Sequence, residues 1–393
     1  LKIKYILILL ILRQIIIKII TSKMKKLNHI FDNVENIKIY QFPFTFNLTI
    51  KNKTILIFEG NSYHSECLPG FSKYFVDLGY NIDIIMNRFG KDTFNLFEHK
   101  EKIRIIIYDS LNQIIHFASN LSSFMNNYSF IIIQTTTPPI IRIISYLGLL
   151  NKERVIYIFH FTKYYYSLNF SKIENQNRIW TLGHFSIGLQ VNPHYIGKIK
   201  LKNKNKRTRF FIVSTEFRNY NYLISASEKL KDENLDFDIA VTGKIKGLSL
   251  DKIKDNFIFN YNVNFSYLYK IVDSSDYIII TLDPDNPKED IFKYNKVTGS
   301  AQLSYGFLKP VLINNYFSDT YNMTKENSFI FDRNNFYNVM RNAIATSNNN
   351  YKIMQKNLMK LSNNIYQNSL KNVEKTLNGD WGLGIGDWGL GIG

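Results

Sequence analysis

The chain has 393 residues, 45% hydrophobic and 15% aromatic, so it is not disordered and is long enough for two domains with proper cores. Its one cysteine, Cys67, excludes a disulfide framework and fits a reducing, cytoplasmic compartment. A formal net charge of +17 asks for an anionic partner (nucleic acid, a membrane surface or a nucleotide substrate), although the abundance of Asn, Ile, Lys, Tyr and Phe reads equally as AT-rich coding.

Residues 1–20 are very apolar, but Arg13, Gln14 and Lys18 interrupt them before the ~18 residues that a bilayer span needs. No small-residue cleavage site follows, which speaks against a signal peptide. Met24-Lys25-Lys26 reads as a start, leaving 1–23 as translated upstream sequence or as an interfacial anchor.

The first strong strand is the apolar, β-branched run 54–58. A polar loop carrying Glu59, Asn61, His64 and Glu66 follows it, and Pro69 then opens a helix whose apolar face is Phe71, Tyr74, Phe75 and Leu78. Residues 80–86 return as a strand, which completes the opening of a Rossmann-like domain. This unit carries no G-x-G-x-x-G, so a dinucleotide cofactor is not expected there. Further strands are predicted at 103–108, 130–134, 154–160 and 185–191, with a helix at 140–150. Strands alternating with helices imply a parallel sheet covered on both faces.

Residues 198–209 hold seven basic residues and no carboxylate. A solvated interdomain linker is the plain expectation and an anionic-membrane contact the sharper one; nucleic acid is not expected, because no reader module accompanies the run. A second α/β set begins at 209–213 and continues with a helix at 220–231, strands at 237–242 and 257–261, and a helix at 265–272. A strand at 277–281, a breaker-rich loop with Pro284 and Pro287, a helix opening at Thr298-Gly299-Ser300 and a strand from Val311 follow. A loop at a strand's C-terminal end leading to a helix N-terminus suits an anionic ligand. Helices are predicted at 334–346 and 351–370, and the tail repeats GDWGLGI from Gly379, too little to build a core.

Thr298-Gly299-Ser300, followed by Gly306-Phe307-Leu308-Lys309-Pro310-Val311, resembles the small-residue turn and "GxxKPV" ending that shape the donor pocket of GT-B glycosyltransferases. The resemblance extends weakly over roughly residues 52 to 340. It implies an α/β chain of two Rossmann-like, doubly wound parallel-sheet domains. On that basis 1–50 is an N-terminal extension, 51–197 the acceptor-side domain, and 198–208 a basic linker. Residues 209–376 form the nucleotide-sugar domain, whose last helix crosses back onto the first, and 377–393 is a disordered tail. The expected reaction moves a sugar from a nucleotide-diphosphate donor to a hydroxyl acceptor, in polysaccharide or glycolipid assembly, without a metal or other cofactor.

The same resemblance assigns the candidate residues. Glu59 and Asn61 belong to the acceptor loop, and His64 or Glu66 removes the acceptor proton, an imidazole with an ordinary pKa near ~6.5 suiting that task. His160, at a strand end, matches a histidine placed near the donor sugar, whereas His184 and His194 read as structural. Arg218 offers a planar fork to phosphate oxygens, and Lys244 and Lys296 offer point charges that can replace a metal. No His/Cys/Asp/Glu spacing matches a metal site, and Asp283-Pro284-Asp285 lies in the wrong domain for a metal-binding acidic pair. The two glutamates eight positions apart that mark the large retaining family are missing, since Val297 and Thr298 stand where the second would fall after Glu289 or Asp290. That departure leaves stereochemistry open and keeps two alternatives in view: a catalytically inactive scaffold and a sugar-nucleotide epimerase.

Overall fold

The structure is a computed structural model that describes residues 37–42, 50, 53–61, 63–150, 152–168, 170, 176–194, 200–213, 218–243 and 254–378. The expectations for 1–23, for Lys244 and for the repeat from Gly379 lie outside the described residues.

Eight strands form the first sheet: β1 (Lys38–Gln41), β2 (Thr54–Glu59), β3 (Asn81–Asn87), β4 (Ile103–Tyr108), β5 (Phe130–Ile133), β6 (Val155–Phe159), β7 (Ile179–Thr181) and β8 (Leu189–Gln190). Their order is β1-β4-β3-β2-β5-β6-β7-β8, with every pair parallel. Side chains alternate across a strand, so Leu56 and Phe58 enter one core while Ile55 and Ile57 enter the other. Helix α1 (Leu68–Asp77), with proline in its first turn, buries Phe71 and Phe75 on one face. Helix α2 (Pro138–Tyr146) buries Ile140 and Ile144 on the other.

The second sheet has β9 (Thr208–Val213), β10 (Phe237–Thr242), β11 (Phe257–Asn260), β12 (Tyr277–Ile280), β13 (Val311–Asn314) and β14 (Ser328–Phe331), in the all-parallel order β11-β10-β9-β12-β13-β14. It is flanked by α3 (Asn221–Asp232), α4 (Phe265–Ser274), α5 (Gly299–Phe307) and α6 (Phe336–Ala345). The chain ends in the 31-residue α7 (Asn348–Asn378). Leu358 and Ile365 of α7 pack in the second domain, while Val373 and Leu377 pack in the core of the first. The return is hydrogen-bonded as well, with Trp180 Nε1 donating to Thr376 Oγ1 at 2.9 Å and Asn192 N to Ser369 Oγ at 3.0 Å. The terminal helix therefore packs on both domains.

Several boundaries differ from the sequence reading. Residues 38–41 are an edge strand of the first sheet rather than part of an extension, paired in register with 104–107. The predicted strand at 185–191 is reduced to the two-residue β8, and β7 at 179–181 is a further strand that the sequence reading lacks; between them Gly188 has φ +62 and approaches Ile179 so closely that a Cβ would meet its carbonyl oxygen at 2.2 Å. The basic segment is not a solvated linker along 202–207. Lys202 N donates to Gln355 Oε1 at 3.0 Å, Lys204 Nζ to the Ile344 carbonyl, and Asn205 N to Asp276 Oδ1 at 2.9 Å, so the backbone is strapped onto the second domain. The tail cannot begin at 377, because Leu377 is core.

Candidate active site

Each sheet has a switch point from which successive connections run in opposite directions, between β2 and β5 in the first and between β9 and β12 in the second. Loops at the carboxyl ends of strands part at such a point and leave a crevice. The two crevices face each other across a shared pocket of about 360 Å³. From the first domain it is lined by His64, Glu66 and His160, and from the second by Arg218, Lys296, Thr298, Gly299 and Ser300. Eight of the eleven residues that the sequence singles out thus converge from four separate segments, those following β2, β6, β9 and β12.

The pocket is clasped on two sides. The Asp92 carboxylate accepts from Phe265 N at 3.0 Å, joining the segment after β3 to the start of α4. Thr162 N donates to the Asn295 carbonyl at 3.0 Å, and Phe161 and Lys296 form an antiparallel bridge. This bridge sets Lys296 beside the end of β6, and therefore beside His160.

On the first-domain wall, His64 Nδ1 lies 3.4 Å from Glu66 Oε1, and the His64 ring lies against that of His160 with centroids 4.2 Å apart and the planes tilted by 33°. His160 is almost wholly buried and its Nε2 lies 3.0 Å from the Gln134 carbonyl. Burial, aided by the neighbouring His64 and Lys296, holds the His160 pKa well below the usual imidazole range. The other Glu66 oxygen is buried without a hydrogen-bond partner among the described residues.

The two expected acceptor-loop residues are not in this wall. Glu59 is the last residue of β2 and fully buried. Its carboxylate accepts from Asn61 N at 2.5 Å and from Thr135 Oγ1 at 2.7 Å. Burial pushes its pKa up to about 8 in spite of both bonds. Asn61 closes the turn by accepting from Tyr63 N at 2.9 Å. Both residues shape the loop from behind.

On the second-domain wall, Arg218 donates to Thr281 Oγ1 at 2.9 Å. Arg218 and Lys296 lie 5.9 and 5.7 Å from the centroid of one ring, Phe292. Burial first and then Arg218 lower the Lys296 pKa, and neither cation has an ion-pair partner among the described residues. Thr298 caps α5 without a side-chain hydrogen bond, so the first N–H groups of that helix are left for something else. A Cβ at Gly299 would meet nothing within 4 Å. Lys309, the lysine of the "GxxKPV" ending, is elsewhere: it is buried at the opposite edge and donates to the Asp273 and Ser275 carbonyls at 2.8 and 2.5 Å, anchoring the end of α4. Asp283 and Asp285 are both ion-paired with Arg333. Buried His194 bonds Ser362 of α7 at 3.2 Å, a structural role, and burial lowers its pKa to about 4.

No family model matches the chain, and neither does any curated protein sequence. Solved structures do. A glycosyltransferase from Rickettsia africae superposes with a TM-score of 0.55 at 14% identity, over 84% of this chain and 98% of that one. Anabaena HepE, in complex with UDP and glucose, does so with a TM-score of 0.54 at 11% identity, over 82% and 99%. The chain has the GT-B fold. As a GT-B protein it carries its pocket at the junction of its two domains.

Besides Gln134, the pocket residues that sequence reasoning missed are mostly apolar, with Gln302 and Tyr269 the polar exceptions. Leu182, Pro193, Phe265, Leu268, Phe292 and Leu303 line much of the pocket and come from loops and helix faces whose spacing is that of any core. Among the described residues, no group of three or more His, Cys, Asp or Glu side chains could hold a metal, and no helix is long and apolar enough to cross a membrane.

Proposed function

We propose that the protein transfers a glycosyl group from a nucleotide-diphosphate donor to a hydroxyl acceptor. The observation that carries this reading is one pocket with a carboxylate-paired histidine on one wall and, on the other, two cations without an ion-pair partner among the described residues, beside a helix N-terminus that lacks a side-chain cap.

The donor diphosphate lies on the second-domain wall. There the N–H groups of Gly299 and Ser300, the Arg218 guanidinium and the Lys296 ammonium meet its oxygens. The sugar projects toward the histidines. His64 holds a proton on Nδ1, facing Glu66, which leaves Nε2 to take the proton of the acceptor hydroxyl. The acceptor oxygen bonds the anomeric carbon while the bond from that carbon to the diphosphate breaks and its electron pair leaves with the nucleotide. The charge that develops there is met by Arg218, Lys296 and the first turn of α5, the role that a metal plays elsewhere. The apolar part of the lining suits an amphipathic acceptor, as in glycolipid or polysaccharide assembly on the cytoplasmic face of a membrane.

Thermal denaturation with a panel of nucleosides, nucleoside monophosphates and nucleoside diphosphates tests the donor half. A diphosphate at ~100 Kd should add roughly 2.7 kcal/mol of stability. Nucleotide-sugar hydrolysis or transfer should follow for the base that binds. No stabilisation by any diphosphate would contradict the reading.

A further inference from the structure

Gln134 ends the strand run of β5, at the switch point of the first sheet, and is completely buried. It touches both histidines. Its side-chain amide donates to the His64 carbonyl oxygen at 2.6 Å, and its own carbonyl lies 3.0 Å from His160 Nε2. A backbone carbonyl can only accept, so Nε2 is the nitrogen of His160 that carries hydrogen. His160 has little room to gain a second proton. The His64 ring lies against it, the Lys296 ammonium approaches from the other domain, and Arg218 stands behind that. Among the described residues the carboxylate paired with the two rings is Glu66, and it pairs with His64; Glu59, behind the loop, is buried and held by Thr135 and Asn61.

We propose that Gln134 is a positioning residue for proton transfer: it fixes His160 as a neutral ring protonated on Nε2 and suspends the His64 turn above that ring, so that His64 alone of the two changes charge. This rests on the glycosyl-transfer reading only for the use made of the proton. Two adjacent imidazolium rings would repel each other in a site that already holds two cations. A neutral ring beneath His64 removes that repulsion and leaves Glu66 as the group that stabilises the new charge. The strongly lowered proton affinity of His160 agrees with this.

The test is ring ¹⁵N–¹H NMR on the full-length, histidine-labelled protein without substrate, over about pH 5 to 8. Assignment uses His64→Gln and His160→Gln. The expected spectra show His160 with hydrogen on Nε2, none on Nδ1, and no change across the range, together with an inter-ring NOE to His64. Gln134→Met keeps the carbonyl and loses the amide, so it should retain the His160 tautomer and lose the NOE. A His160 that titrates in this range, a proton on its Nδ1, or an undiminished NOE in Gln134→Met overturns the proposal. If Gln134→Met does not fold, the parent spectra alone decide. Because no substrate is present, absence of glycosyl transfer alongside the expected spectra counts against the proposed function and not against this one.

Discussion

His64 and His160 reach the pocket already bonded: one to Glu66, the other to the Gln134 carbonyl, and each to the other's face. Arg218 and Lys296 reach it without a carboxylate partner among the described residues, Arg218 on the Thr281 hydroxyl and the Val213 carbonyl and both beside the Phe292 ring, next to a helix whose first turn has no side-chain cap. The first wall has its proton-handling groups bonded to one another before anything binds, although one Glu66 oxygen is left without a partner among the described residues. The second is unfinished and is completed by an anion. Preorganisation is valuable where geometry sets a rate, whereas unsatisfied donors and unpaired cations are valuable where binding energy is wanted. Changes in the first wall should therefore alter turnover and leave nucleotide affinity alone, and changes in the second should do the reverse.

The largest effect is expected at His64. His64→Ala should lower turnover by ~10²–10⁴-fold, the usual contribution of a positioned base, while stabilisation by nucleotide, measured by thermal denaturation, hardly changes. Glu66→Ala is the companion: if it alone abolishes turnover, Glu66 is the base, and if both variants remain active His160 is the next residue to test.

Next comes a pH effect behind the same wall. Glu59 ionises near 8 in the folded protein and near 4.5 when unfolded, so between those values the unfolded chain has released a proton that the folded one keeps. Stability contributed below the lower value is lost as pH rises toward the upper one. Glu59→Gln preserves an acceptor for Asn61 N and removes the titration, so its denaturation free energy should fall less between pH ~5 and ~8 than the parent's, by a few kcal/mol at about 1.4 kcal/mol per unit. Equal pH slopes in the two proteins would show that Glu59 is ionised in the fold.

A somewhat smaller change tests the second wall. Gly299→Val introduces a side chain into open space, so the apo protein should melt as the parent does. With the branched side chain in the way of the phosphate, the roughly 2.7 kcal/mol of stabilisation at ~100 Kd should vanish. Normal nucleotide binding by this variant would place the donor elsewhere.

Most of this comparison is legible in the sequence, for identifiable reasons. Strands buried on both faces read as unbroken apolar runs, so β2 to β6 and β9 to β13 stand out, and His64, His160, Lys296 and Gly299 are recognisable because they follow such runs. The strands β1, β7, β8 and β14 are two to four residues long and are held by context: β7 is fixed by Trp180 packing on Phe75 and bonding Thr376, 196 positions away. Glu59 was misjudged by a single position, because the last residue of a strand is still sheltered by the sheet. Lys309 belongs to a recognisable motif, yet only the fold reveals that it faces away from the pocket. Gln134 leaves no compositional trace, since half of its role is played by a backbone carbonyl that any residue possesses.

The last comparison concerns the ends, where one of two truncations should have no effect at all. Removing 1–23 together with 379–393 should leave the melting temperature unchanged, whereas a chain ending at 376 also loses Leu377 from the first core. Deleting a buried leucine side chain costs about 2–5 kcal/mol, so that shorter chain should melt visibly lower. Equal melting of the two would mean that the last turn of α7 contributes nothing to the return crossing.

The division between a finished and an unfinished wall is tested most directly by an experimental structure of the protein with a nucleoside diphosphate bound. The account predicts the terminal phosphate within hydrogen-bonding distance of the Gly299 and Ser300 amides and of Arg218 or Lys296, with His64, Glu66, Gln134 and His160 unmoved. A diphosphate seated away from the start of α5, or a histidine pair that rearranges to receive it, would contradict the account.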